Sequence, residues 1–158
     1  MTKTKFPPSI RSRPVYGELE PRPGALHLVV ADGEGAGAIA DMLARVGEGA
    51  PAMLAAMHII YTPGPDGTDF AGRLEALGAA QFYRAPTIAT VLPRLVRVLA
   101  DAHMGTQFYL AGTEGLIGQA EREIMNTGFP YTAIQKEHRG ATVRRVQCVH
   151  CKGITENV

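Results

Sequence analysis

Hydrophobic residues along the chain follow two periods, one typical of buried strands and one typical of amphipathic helices. Short apolar runs rich in β-branched residues predict strands at 25–31, 58–62, 80–85, 106–112 and 132–137. Between these runs, apolar residues recur three or four apart and predict helices that end near residues 47, 77, 103 and 128. Because strands and helices alternate, we predict a small doubly wound α/β domain over residues 25–140, with a parallel sheet and helices on both faces.

Residues 1–24 precede the first predicted strand and are rich in proline. The prolines are Pro7, Pro8, Pro14, Pro21 and Pro23. Such a density excludes a helix and favours an extended arm that crosses its own domain or a partner. A loosely ordered tail is an equally good interpretation of the same composition.

Charge and hydropathy exclude several classes of partner. The chain carries 16 Lys and Arg against 15 Asp and Glu, a formal net charge of +1, so no electrostatic feature predicts binding to nucleic acid or to an anionic membrane. Its apolar runs are interrupted well before the roughly 20 residues that a membrane-spanning helix needs. The first residues contain no apolar stretch of signal-peptide length. We therefore expect a cytoplasmic protein.

Two glycine-rich turns follow the first and the fourth predicted strands. In doubly wound sheets, ligands bind outside the carboxyl ends of the strands, where backbone amides at a helix start attract phosphate. The candidate nucleotide-binding residues are Gly33, Glu34, Gly35, Ala36, Gly112, Thr113, Glu114 and Gly115. Two features favour empty turns instead: Asp32 and Glu34 place negative charge where a pyrophosphate would approach, and sharp turns need glycine whether or not they bind a ligand.

No residue of the chain is predicted to be catalytic. The second turn has the shape of a strand-to-helix elbow, but Glu114 stands where a nucleophilic serine would be required. Arg94 and Arg97 recur three apart on one face of a predicted helix and could hold an acidic partner, although exposure to solvent is the commoner reason for such a pair.

The two cysteines of the chain, Cys148 and Cys151, form a Cys-x-x-Cys motif near its end. This spacing lets two thiolates bind one zinc or iron ion, whereas a closed site needs four ligands. We therefore interpret residues 141–158 as the start of a zinc-ribbon or rubredoxin-like knuckle that the sequence truncates. A redox-active dithiol is the main alternative.

The two turns, in this order, resemble the NAD(P)-binding module of the ferredoxin–NADP reductase family. Gly33 and Gly35 match the Gly-Gly-Thr-Gly-x-x-Pro turn of that module. The stretches 128–130 and 134–137, Gly-Phe-Pro and Ile-Gln-Lys-Glu, match its Gly-hydrophobic-Pro loop and its last strand, which reaches a glutamate. The resemblance covers roughly residues 25–140 and implies that NADPH could bind at the turns.

The chain departs from the reductase pattern at three positions and in its domain content. The threonine, proline and cysteine of the family's turns are replaced by Glu34, Ala38 and Ala111. Residues 1–24 are too few to fold as the flavin-binding barrel that precedes the module in that family. The chain therefore could not pass a hydride to a flavin of its own.

A reductase-like module followed by "CVHCK" resembles the small subunit of bacterial dimethylamine monooxygenase, a haem-dependent oxidative N-demethylase. The resemblance implies two partners, a haem-binding catalytic subunit and a reductase subunit that carries FMN and an iron–sulfur cluster and takes electrons from NADPH. It leaves two roles open for this chain. It is either a non-catalytic support subunit for assembly and electron transfer, or the nicotinamide nucleotide-docking subunit of a split flavin reductase.

Overall fold

A five-stranded parallel sheet forms the centre of the domain, with strand order β3-β2-β1-β4-β5. The computed structural model describes residues 17–65 and 67–140, together with the backbone of 146–147 and 154–155. The strands of the sheet are β1 Leu26–Asp32, β2 Met57–Thr62, β3 Gln81–Arg84, β4 Thr106–Gly112 and β5 Ile134–His138. The helices are α1 Gly35–Val46, α2 Ala50–Ala55, α3 Ala71–Glu75, α4 Ile88–Ala100 and α5 Glu114–Asn126, and 3₁₀ turns occupy Gly47–Gly49 and Tyr131–Ala133.

Both faces of the sheet are covered by helices. Alternate strand residues such as Val29 and Ile59 form one buried cluster with the apolar residues of α1, α2 and α3. Their neighbours, such as Leu28 and Ile60, form a second cluster with α4 and α5. Strands that are buried on both faces read as continuous apolar runs, and this explains why the central strands were recognisable in the sequence. The predicted doubly wound α/β fold is confirmed.

Two helices differ from the sequence prediction for identifiable reasons. The predicted helix at 69–77 is shorter in the structure, as α3. At its start, the Tyr61 hydroxyl accepts the amide of Phe70 at 2.9 Å and the Asp69 carboxylate accepts that of Ala71 at 3.0 Å, so the helix begins two residues later than predicted. Helix α2 was not predicted. It begins directly after the Gly47–Gly49 turn. Pro51 lies in its first turn, where the missing N–H group would have no carbonyl partner within the helix, so the proline is tolerated.

Residues 17–24 of the proline-rich segment lie against β4 and β5. Leu19 is fully buried, and its amide donates to Glu137 Oε1 at 2.9 Å. The Glu20 amide donates to Gln135 Oε1 at 2.6 Å, and Gln135 Nε2 returns a hydrogen bond to the Glu20 carbonyl at 2.7 Å. This segment therefore packs as part of the domain, on the same side of the sheet as α1.

The predicted metal knuckle falls mostly outside the described residues. Two short antiparallel strands, β6 Val146–Gln147 and β7 Ile154–Thr155, pair near the end of the chain. Cys148 and Cys151 lie between them, in the part that the structure does not describe. Within the described residues, no helix has the length and apolar character required to cross a membrane.

Replacing Leu19 with alanine should lower the free energy of unfolding by about 2–5 kcal/mol, because the change removes a fully buried side chain from the α1 side of the core. Urea denaturation of the full chain measures this difference. Met104→Ala is the control, since Met104 is 95% exposed, and it should change stability by less than about 0.5 kcal/mol. Equal stabilities of the two variants would contradict the packing of this segment on the sheet.

Candidate functional site

The two glycine-rich turns lie side by side at the point where the strand order reverses. From β1 the chain proceeds outward through β2 and β3, then returns to place β4 on the other side of β1. Ala31 and Ala111 are paired in the register of these two strands, so the residues that follow them are neighbours. We call residues 32–36 and 111–115 the switch-point turns, and the space between them is where a doubly wound sheet ordinarily receives its ligand.

A buried carboxylate joins the two switch-point turns. Asp32 is fully buried at the end of β1, and its Oδ1 accepts the amide of Thr113 at 2.7 Å. The Thr113 hydroxyl donates to Asp32 Oδ2, also at 2.7 Å, and accepts the amide of Leu116 at 3.4 Å as the N-cap of α5. Both polar groups of Thr113 that could donate to a phosphate therefore donate to the protein's own aspartate.

The glycines at positions 35 and 112 are required by contacts within the chain. A Cβ at Gly112 would lie 1.9 Å from Asp32 Oδ1, and the φ of Gly112 is +129°. A Cβ at Gly35 would lie 2.3 Å from the carbonyl oxygen of Ala111. Side chains are excluded at both positions by neighbouring protein atoms, so glycine is needed here even when no ligand is bound.

The first of the switch-point turns is also hydrogen-bonded to the end of β2. The Gly33 carbonyl accepts the Tyr61 hydroxyl at 2.8 Å, and the Gly33 amide donates to the Thr62 carbonyl at 3.0 Å. Gly33 has a φ of +49°, and a Cβ there would lie 2.9 Å from the Cα of Gly64. Tyr61 thus connects this turn to the start of α3 through a single hydroxyl, because the same oxygen accepts the Phe70 amide.

Charged side chains surround the first turn of α1. Glu34 is exposed and makes no side-chain capping hydrogen bond to the helix. The Arg139 guanidinium lies over this turn, with Nη1 3.2 Å from where a Cβ at Gly37 would be. It donates to Asp41 Oδ2 at 2.8 Å and to Glu137 Oε2 at 2.6 Å, and these two carboxylates hold the pKa of Arg139 above its ordinary value. The Arg139 charge is therefore already paired with carboxylates of the chain.

The structure thus brings the predicted residues of both turns together, and several of their polar groups bond within the chain. Ala36 and Gly37 donate their amides to the carbonyls of Gly33 and Glu34 at 3.4 and 3.0 Å, within the turn. Glu114 and Gly115 begin α5 and are half-buried. Sequence reasoning treated Asp32 only as a charge that repels phosphate and missed its pairing with Thr113, because 81 residues separate the two.

A separate cavity of about 470 Å³ lies further along the carboxyl edge of the sheet, between the loops after β2 and β3. Thr87 and Gln119 of α5 both line it. Thr87 is also the N-cap of α4, where its hydroxyl accepts the amide of Thr90 at 3.3 Å. None of the described lining residues is charged. Across the described parts of the chain, no cluster of three or more potential metal ligands occurs.

Replacing Asp32 with alanine should lower the free energy of unfolding by about 2–4 kcal/mol, because the amide and the hydroxyl of Thr113 would both lose their partner in a buried site. Asp32→Asn should cost less, since its carbonyl oxygen can still accept the Thr113 amide. Chemical denaturation compares both variants with Asp101→Ala, a change at an exposed residue. A stability ranking in which Asp32→Ala resembles Asp101→Ala would contradict the bridging role of Asp32.

The arrangement of strands and turns is similar to that of several solved oxidoreductases. One is an intact type IV self-sufficient cytochrome P450 monooxygenase, with 24% identity and a TM-score of 0.53 over 77% of this chain and 15% of that one. Another is a flavohemoglobin from Malassezia yamatoensis with bound FAD and haem, with 13% identity and a TM-score of 0.53 over 77% and 33%. A third is a mutant ferredoxin–NADP⁺ reductase from Plasmodium falciparum in complex with 2'P-AMP, with 11% identity and a TM-score of 0.52 over 73% and 52%.

These likenesses establish the fold alone. This chain spans between about a seventh and a half of the length of these three solved chains. Comparison with curated proteins found no match. A family model described as "Dimethylamine monooxygenase subunit DmmA-like, N-terminal domain" matches residues 8–134, which is most of the chain. The predicted resemblance to the small subunit of dimethylamine monooxygenase is thereby confirmed, and the chain belongs to the family of DmmA-like dimethylamine monooxygenase subunits.

Proposed function

We propose that this chain is a non-catalytic subunit of a dimethylamine monooxygenase complex, which it supports in assembly and in electron transfer. The complex would carry out oxidative N-demethylation with NADPH and O₂. A haem-binding subunit would hold the catalytic centre, and a reductase subunit with FMN and an iron–sulfur cluster would supply electrons. Membership of the DmmA-like family supports the association with such an enzyme, and the reductase-like fold supports a place beside a reductase.

The contact between Asp32 and Thr113 is the observation that favours a support role over nucleotide binding. A pyrophosphate at the switch-point turns would need amide and hydroxyl donors, and those of Thr113 already donate to Asp32. It would also meet the negative charges of Asp32 and Glu34, and the nearby cation among the described residues, Arg139, is already paired with Asp41 and Glu137. The switch-point turns therefore fit NADPH poorly.

Docking of a nicotinamide nucleotide beside a partner's flavin is the second candidate. The cavity of about 470 Å³ at the carboxyl edge supports it, because a sheet of this type binds ligands along that edge and the cavity has the size of a small-molecule site. Thr87 and Gln119 offer hydrogen-bonding groups there. Because none of the described lining residues is charged, the cavity offers a phosphate no cation, and we rank this candidate second.

Titration of NADPH and NADH into the full chain by calorimetry distinguishes the two candidates. The support role predicts no saturable heat up to about 1 mM, the upper end of ordinary KM values. Glu34→Gln removes a carboxylate next to the switch-point turns, and Glu48→Gln removes one at the far end of α1 as a matched control. Saturable binding of either nucleotide would make the chain the nucleotide-docking subunit. Binding that tightens with Glu34→Gln but not with Glu48→Gln would place it at the switch-point turns, and binding that neither change affects would favour the cavity lined by Thr87 and Gln119.

Reconstitution of the complex tests the support role directly. Leaving out this chain should slow dimethylamine-dependent NADPH oxidation, because the haem and reductase subunits would no longer be held together. The KM of the reductase subunit for NADPH should stay the same, since that subunit would contain the whole nucleotide site. A large rise in this KM on omission would overturn the proposal.

A metal ion at Cys148 and Cys151 belongs to the same proposal. Two thiolates at this spacing suit zinc or iron, and two further ligands would complete the site. Cys148→Ser should lower the bound zinc or iron of the purified full-length protein to a small fraction of its original content, as measured by elemental analysis. A metal content equal to that of the unsubstituted protein would remove the knuckle from the proposal.

A further inference from the structure

A second cavity lies at the opposite edge of the sheet, where the strands begin. It measures about 290 Å³ and is enclosed by α4 and by the first residues of β1, β2 and β3. The polar residues that line it are His58, Gln81, Arg94, Arg97 and Asp101. Because the switch-point turns lie at the carboxyl ends of the strands, this cavity is separate from the site described above.

His58 brings a buried polar group without a partner to this cavity. The side chain is 4% exposed, and its Nε2 makes no hydrogen bond. Burial lowers the pKa of His58, and the positive charge of Arg94 lowers it further. A buried polar atom without a partner costs about 1–3 kcal/mol, so a small side-chain movement that let a ligand pair with this nitrogen would recover part of that cost.

Arg94 presents a second buried group of the same kind. Its Nε is buried and has no hydrogen-bond partner. Its guanidinium carbon lies 4.9 Å from the centre of the Tyr83 ring, close enough for a cation–π interaction that orients the group. The guanidinium is thus oriented by an aromatic face, and a ligand in the cavity would have to bind the terminal Nη groups rather than the buried Nε.

Arg97 follows one helical turn later on α4 and is exposed. Within residues 17–65 and 67–140, no ion pair within 4 Å joins Arg94 or Arg97 to a carboxylate. Asp101 lines the cavity and reduces its positive charge without pairing with either arginine. Among the described residues, two cations, His58 and one carboxylate therefore line the same cavity.

We propose that this cavity binds a small oxyanion, either phosphate or the carboxylate of a short organic acid, between the guanidinium groups of Arg94 and Arg97. Guanidinium groups match the geometry of both anions and bind them through paired N–H donors. His58 and Gln81, neighbours in the register of β2 and β3, line the cavity beside the two arginines, and the exposed Gln81 amide would donate to the anion. The volume lies just below the range of ordinary ligand sites, which suits an ion or a short acid and excludes a dinucleotide.

Titration of inorganic phosphate and of sodium acetate into the full-length protein tests this site, with sodium chloride added to keep ionic strength constant. Binding measured by NMR should saturate with a Kd of about 1 mM or lower for at least one anion, and the imidazole resonances of His58 should shift with the same Kd. Saturation by phosphate alone or by acetate alone identifies which of the two chemistries the site accepts.

Two substitutions connect the binding to the cavity. Arg97→Gln changes an exposed residue, so the fold should persist, and it should raise the Kd about tenfold by removing a charged hydrogen-bond donor. Arg94→Gln should raise it at least as much. Arg73→Gln is the matched control, because Arg73 also lies over an aromatic ring, that of Phe70 at 5.5 Å, but outside the cavity.

The site would be overturned by the absence of saturation with either anion at concentrations well above the expected Kd. It would also be overturned by equal affinities of the Arg97→Gln and Arg73→Gln proteins, since binding would then occur elsewhere. Neither outcome bears on the proposed support role, which concerns the opposite edge of the sheet.

Discussion

The hydrogen bonds from Thr113 to Asp32 hold together the two halves of the sheet at the point where its strand order reverses. A buried carboxylate is stable only when its oxygens accept hydrogen bonds, and both oxygens of Asp32 do so. This contact requires glycine at position 112, because a Cβ would occupy the space of Asp32 Oδ1, and it positions Thr113 to cap α5. At the edge of the sheet where a ligand ordinarily binds, these groups therefore bond to each other instead.

Glu137, on the edge strand β5, is a second buried carboxylate whose oxygens accept hydrogen bonds from the chain. Its carboxylate, 5% exposed, accepts the amide of Leu19 and the Nε of Arg139, which in turn reaches Asp41 of α1. The segment before β1, the last strand and the first helix are therefore tied through one side chain. Polar contacts thus connect the two switch-point turns and the edge of the sheet, whereas the arrangement of strands and helices depends on the apolar clusters on both faces of the sheet.

The strands and the doubly wound architecture were predictable because they follow from short-range periodicity. The position of the two glycine turns at the strand reversal was predictable for the same reason, since each turn directly follows an apolar run. Contacts between distant residues were not. The pairing of Asp32 with Thr113 and the shortening of α3 by the Tyr61 hydroxyl arise only when the sheet is assembled. The spacing of Arg94 and Arg97 indicates at most a contact with an acidic partner, with solvent exposure the commoner reason, and the buried His58 beside them gives no signal in the sequence.

Amide hydrogen exchange at Thr113, followed by NMR in the full-length protein with and without NADPH, tests the central claim most directly. If the Asp32 carboxylate closes the switch-point turns, the Thr113 amide exchanges slowly in the free protein, and its protection is the same when NADPH is present. Fast exchange in the free protein, with protection appearing only on addition of NADPH, would show that these turns are open and that a nucleotide is their partner.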